Sequence, residues 1–222
     1  MPEAESRLTK NYLPGPAGTE PALGYLLYLP PGYAGQPEKN WPVVFFLHGA
    51  GERGSDLDKV KVHGLPREIS QGQDYPFIVV APQCPLDQRW IFKLKELDEL
   101  YAHIMSNYRV LPGQVYLTGM SMGGQGTWFW TLAHPERFAA IAPICGRSFP
   151  EQAEKIKALP IWVFHGAKDP IVLLEESTVM VEALKIIGSD IRFTIYPEAE
   201  HDSWSITYTN PELYEWFLSH SR

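Results

Sequence analysis

The sequence predicts an α/β protein with a mostly parallel central sheet covered by helices on both faces. Three observations predict it: short apolar runs rich in β-branched and aromatic residues, segments of helical spacing between them, and Gly and Pro residues gathered where the runs end. The runs are too short for helices and too continuous for strands with one wet face, so they read as strands buried on both sides.

Residues 23–29 come first and close on Pro30-Pro31-Gly32, a turn signal. They are expected as an antiparallel strand at the leading edge of the sheet. Val43-Val44-Phe45-Phe46-Leu47 and Phe77-Ile78-Val79-Val80-Ala81 follow as core strands. Leu94, Leu97, Leu100, Tyr101, Ile104 and Met105 then repeat at i, i+3, i+4, the stripe of an amphipathic helix. Val115-Tyr116-Leu117-Thr118 is the next strand, and residues 125–134 can be helical after it. Ala139-Ala140-Ile141-Ala142, Ile161-Trp162-Val163-Phe164 and Ile191-Arg192-Phe193-Thr194-Ile195 complete the strands, with helical spacing over 173–187 and 211–218. In the helix after Val115–Thr118, Trp128 is expected in the core and Trp130 on the surface. No internal repeat interrupts the alternation, and a chain of 222 residues is within reach of one core, so residues 1–222 are expected as a single domain.

Apolar residues make up 45% and charged residues 20%, the balance of an ordinary globular protein. A net charge of -7 gives no electrostatic footprint for nucleic acid or an anionic membrane surface. Cys84 and Cys145 are too few for a disulfide framework and read as free thiols at two strand ends. The stretch Met1-Pro2-Glu3-Ala4-Glu5-Ser6-Arg7 carries acids where a signal peptide needs bases, so a cytoplasmic location is the expectation. No cluster at metal-ligand spacing, phosphate loop or dinucleotide fingerprint is seen, and no cofactor is expected.

In sheets of this type the chemistry lies in loops after the carboxyl ends of strands. Gly119-Met120-Ser121-Met122-Gly123 follows one strand directly and precedes a helix. The turn forces its serine into a strained conformation, and the flanking glycines remove side chains that would collide there. The five-residue pattern alone is weak, since chance can supply it; its place at a strand-to-helix junction makes Ser121 a candidate nucleophile. A serine hydroxyl needs a base, and among 7 histidines His201 lies between the last strand and the last helix, in reach of that edge. His48 and His165 each end a strand in a His-Gly pair, where backbone contacts that shape the turn are the expected role. The carboxylate that orients the imidazole should come from the intervening loop, which favours Asp169. Asp190 sits at the wrong end of the sheet and Asp202 is too close to His201, while Glu198 and Glu200 stand as substitutes. The oxyanion of an acyl-transfer intermediate needs backbone donors, for which Met122 and Ala50, in His48-Gly49-Ala50-Gly51, are the candidates.

Leu47-His48-Gly49-Ala50-Gly51-Glu52-Arg53-Gly54, Gly119 to Gly124, His165-Gly166-Ala167-Lys168-Asp169 and His201-Asp202-Ser203-Trp204 together resemble the α/β-hydrolase superfamily, and within it the compact carboxylesterases of the phospholipase/carboxylesterase and feruloyl-esterase-like branches. The resemblance spans nearly the whole chain. It implies an α/β-hydrolase fold and ester hydrolysis through an acyl-enzyme. Only a short segment separates Cys145 from Pro160, so no large cap domain and an open cleft are expected. Trp90, Trp204 and Gln125 are candidate substrate contacts near its mouth, and the expected ligand is a small-molecule ester of short-chain or aryl (acetyl or feruloyl) type. The alternatives are a lysophospholipase or thioesterase, a peptidase like the prolyl oligopeptidases, or a ligand-binding hydrolase fold without turnover.

Overall fold

The structure, a computed structural model, describes residues 7–15 and 23–222. The acidic stretch Met1 to Ser6 used in the localisation expectation lies outside the described residues. Eight strands form one sheet: β1 (Leu8–Leu13), β2 (Leu23–Tyr28), β3 (Trp41–Leu47), β4 (Ile78–Pro82), β5 (Val110–Met120), β6 (Ala140–Ile144), β7 (Ile161–Gly166) and β8 (Ile191–Tyr196). The helices are α1 (Gly64–Ser70), α2 (Leu94–Asn107), α3 (Met122–Ala133), α4 (Glu175–Ile186), α5 (Trp204–Tyr208) and α6 (Pro211–Leu218). Among the described residues no helix is long and apolar enough to cross a membrane.

The spatial order is β1-β2-β4-β3-β5-β6-β7-β8, with β1, β2 and β4 paired antiparallel and every later pair parallel. Alternate side chains of each strand serve opposite layers. Val43, Phe45 and Leu47 pack with Leu97, Leu100 and Ile104 of α2, Trp128 and Trp130 of α3, and Met180 and Leu184 of α4. Val44 and Phe46 face the other side, against Leu65 and Ile69 of α1, Tyr208 of α5 and Phe217 of α6. Burying either Phe45 or Phe46 in full is worth about 1.5–3 kcal/mol, which explains why both alternating sets of this strand are apolar. Between β6 and β7 runs only a short segment containing a 3-10 turn over Pro150–Ile156, so no large cap covers the carboxyl edge.

Three expectations are corrected. Residues 23–28 form a strand but not the edge, because β1 pairs outside them; β1 sets Thr9, Lys10, Asn11 and Tyr12 between the buried Leu8 and Leu13 and so carries no continuous apolar run. The strand β8 is only half-buried, being the opposite edge. The indole of Trp130 is fully buried, not on the helix surface, because it packs on Phe45 and Phe138 and donates its N–H to Asp98. Helices α1 and α5 are too short to show a helical period in the sequence.

Candidate active site

Ser121 is the single residue between β5 and α3. Its backbone is held at φ 54°, ψ -114°, a conformation that costs a non-glycine residue about 1–3 kcal/mol. The surroundings leave no alternative. A Cβ on Gly123 would lie 1.9 Å from the Leu47 carbonyl oxygen, and one on Gly119 would lie 2.4 Å from that of Gly123. Only glycines let β3, β5 and the first turn of α3 meet this closely. The Ser121 N–H donates to Ile144 O (2.9 Å), and Ser121 O accepts from Gln125 N–H, so both sides of the strained residue are tied.

From this turn the Ser121 Oγ reaches 2.9 Å from His201 Nε2, and His201 Nδ1 lies 2.7 Å from Asp169 Oδ2. Because a carboxylate only accepts, His201 Nδ1 carries the hydrogen and leaves Nε2 to receive the serine proton. Asp169 follows β7 and His201 follows β8, and these two strands are hydrogen-bonded neighbours. The Asp169 side chain has no exposed surface, and its Oδ1 accepts the N–H groups of Ile171 (2.8 Å) and Val172 (2.9 Å). Burial pushes this carboxyl up, but the hydrogen bonds from His201, Val172 and Ile171 outweigh it and hold it below the usual carboxylate value. The edge of the Trp204 ring meets the His201 ring at a centroid distance of 5.1 Å.

The other acids and histidines have separate duties. Asp202 accepts the N–H and hydroxyl of Ser205, Glu198 pairs with Lys168, and Asp190 and Glu200 are exposed. His134 meets Asp98, and His63 meets Glu52 and the Trp204 ring. Cys145, at φ 40°, brings its thiol to within 4.8 Å of the His201 and Asp169 ligand atoms, a grouping that residue spacing does not reveal. Burial pushes this thiol up to about 12 and His201 Nδ1 is taken by Asp169, so the trio suits a hydrogen-bonded cluster rather than a cation.

A cleft of about 230 Å³ opens over Ser121, lined by Ala50, Met122 and Gln125 as expected and by Arg89, Arg147, Ile171 and Val172, which the sequence reading missed. These four also lie in loops after parallel strands, so their position was the available signal. Met122 opens α3, where an N–H has no intrahelical acceptor. The Ala50 loop is fastened from outside: Arg53 donates to Ala50 O (2.9 Å) and Gln83 to Glu52 O (2.8 Å). His48 donates through Nδ1 to Gly49 O (2.6 Å) and accepts Cys84 N–H at Nε2 (2.9 Å). Its imidazole is neutral, because burial lowers it to about 4.

One candidate substrate contact is corrected. Trp90 is fully buried, donates its indole N–H to His48 O (2.9 Å) and packs on the His48 ring, so it pins the end of β3 and does not line the cleft. Trp204 is half-buried, with its ring packed between those of His201 and His63.

The chain is similar to a thermostable esterase of known structure, with a TM-score of 0.83 and 33% identity over 97% of this chain, which spans 64% of that protein's chain. Carboxylesterase SOBER1 of Arabidopsis thaliana is 31% identical over 192 residues, 71% of this chain and 82% of its own length. An endo-1,4-beta-xylanase/feruloyl esterase of Xylanibacter ruminicola is 31% identical over 182 residues, but this chain spans only 24% of it. The model of the dienelactone hydrolase family matches residues 90–206, more than half of the chain and the part that carries Ser121, Asp169 and His201, and the chain therefore belongs to that family of ester-cleaving hydrolases.

Proposed function

We propose that Ser121, His201 and Asp169 are the catalytic triad of a serine carboxylesterase, and that Met122 and Ala50 supply its oxyanion donors. The observation that carries this is the unbroken chain from Ser121 Oγ to His201 Nε2 (2.9 Å) and from His201 Nδ1 to Asp169 Oδ2 (2.7 Å), opening on the cleft. His201 takes the hydroxyl proton as Ser121 Oγ attacks the ester carbonyl, and Asp169 stabilises the imidazolium that forms. The oxygen that becomes negative lies at the Met122 and Ala50 N–H groups. Collapse expels the alcohol with the proton from His201. Water, deprotonated by the same ring, then releases the acid from Ser121 and regenerates the hydroxyl.

The cleft favours short-chain or aryl acids. At about 230 Å³ it is smaller than the roughly 300–1,000 Å³ of sites that hold drug-sized ligands, and it is too small to enclose a long acyl tail. Arg89, Gln125 and Arg147 offer N–H donors to oxygen substituents of an aromatic acid, and Ile171 and Val172 offer apolar contact to its ring. The same reading takes residues 1–222 as one domain, since both apolar layers lie on one sheet. The test is a kinetic comparison of acetyl, butyryl, octanoyl, feruloyl and thioester substrates at one pH, with Ser121→Ala as control. Turnover retained in Ser121→Ala would sink the triad; preference for octanoyl or thioester substrates would replace the substrate class.

A further inference from the structure

His165 ends β7 four residues before Asp169, has no exposed surface, and is not part of the Ser121–His201–Asp169 chain. Its Nε2 lies 2.8 Å from the Val172 carbonyl oxygen and 3.2 Å from Asp169 Oδ2; its Nδ1 lies 2.7 Å from Ser177 Oγ in α4. Both groups facing Nε2 only accept, so Nε2 carries the ring hydrogen, which it donates to Val172 O with Asp169 Oδ2 as a second, longer contact. Nδ1 of the neutral ring then accepts the Ser177 hydroxyl proton. Asp169 Oδ2 is therefore approached by two imidazole N–H groups, one from His201 and one from His165, while Oδ1 takes two backbone N–H groups.

We infer that His165 is a positioning residue for ester cleavage: with its Nδ1 held by Ser177, it clamps Asp169 Oδ2 and Val172 together. This rests on the triad assignment above. The clamp works in two ways. It fixes the carboxylate's angle toward His201, because Oδ2 is gripped from two directions while Val172 is held by its N–H on Asp169 and its carbonyl on His165. It also draws off part of the negative charge on Oδ2, which moderates how strongly Asp169 stabilises the His201 imidazolium. Burial lowers the proton affinity of the His165 ring, so it stays a neutral donor beside Asp169 and does not become a competing cation. The ionisable groups around Asp169 are His165, His201 and the Cys145 thiol, and the last is held protonated by burial.

The experiment compares wild type, His165→Leu, His165→Gln and Ser177→Ala in the full chain, with active sites counted by a fluorophosphonate label so that misfolded protein drops out. Per labelled site, His165→Leu should lose about tenfold or more in kcat with KM within twofold, the scale on which outer-shell partners act. Its kcat/KM profile should have an acidic limb about half a pH unit higher, because an Oδ2 relieved of one donor holds the imidazolium more tightly. His165→Gln, whose amide N–H can occupy the Nε2 position, should restore most of both. Ser177→Ala removes the hydroxyl that holds Nδ1 and should move kcat and the limb in the same directions by about threefold and a smaller shift, which keeps the test open if His165→Leu does not fold. Wild-type kcat and an unmoved limb in labelled His165→Leu, or in Ser177→Ala, would overturn the inference, as would a Gln variant no better than Leu. None of these outcomes touches the triad, which stands or falls on Ser121→Ala.

Discussion

Replacing Gly123 by alanine tests the closeness of packing on which the site depends. The added Cβ would sit 1.9 Å from Leu47 O, 2.5 Å from Leu47 C and 2.7 Å from His48 O, all of them backbone atoms that no rotamer change can move. Real Cβ contacts essentially never fall under 3.0 Å, so β3 and α3 must separate by about 1.1 Å at this point. That displacement runs straight into His48-Gly49-Ala50 on one side and Met122 on the other, so the two proposed oxyanion donors part from each other. A misplacement of about 1 Å costs on the order of 100-fold in turnover, and overpacking of this kind costs about 1–3 kcal/mol in stability. Gly51→Ala is the matched control in the same loop, because its Cβ would meet nothing within 4 Å. The assay is kcat on a short p-nitrophenyl ester beside urea unfolding for both variants. Gly123→Ala within threefold of wild type and equally stable, or Gly51→Ala equally damaged, would refute the reasoning.

Three further outcomes are expected. His48 is neutral when folded, and protonating Nε2 would drive it against Cys84 N–H; with the folded value lowered to about 4 from 6.5, the unfolded chain binds more protons in that window and stability falls as pH drops through it. Urea titrations should show the advantage of wild type over His48→Gln shrinking by about 3 kcal/mol between pH 7 and pH 4, and a constant advantage would contradict this. Asp169 is depressed below 3.8, so its ionised form contributes stability that is fully present above that value and is lost as pH falls through the folded one. Asp169→Asn should lower kcat about 10⁴-fold at neutral pH by admitting the wrong His201 tautomer, with a stability gap that begins to close only below pH 3.8. Trp90→Ala should cost about 3–5 kcal/mol in unfolding experiments as a fully buried indole, whereas Trp204→Ala should act mainly on kcat through the His201 ring; a Trp90→Ala protein of wild-type stability would restore a surface role for that residue.

Local signals made much of this protein legible. The runs over 43–47 and 77–81 announced buried strands, because both alternating sets of side chains are apolar. The turn at Ser121 was readable because its steric demand is met by residues adjacent in sequence. Strand β1 was not, since Thr9, Lys10 and Tyr12 are exposed, Asn11 is half-buried, and only Leu8 and Leu13 are buried. Trp130 is not legible either, because a helix as uniformly apolar as α3 offers no polar side from which to orient it.

By itself the sequence determined the alternation of strands and helices, the strained serine and the chain order Ser121, Asp169, His201. These follow from periodicity and from turns that act over a few residues. Tertiary structure alone decided that Trp90 faces inward to His48, that Arg89 and Arg147 converge on the cleft, and that Asp169 Oδ2 is shared by two histidines. The physical reason is range: Ser121 and His201 are 80 residues apart, and which loop side chains meet at a sheet edge depends on strand order, register and burial, none of which is a property of neighbouring residues.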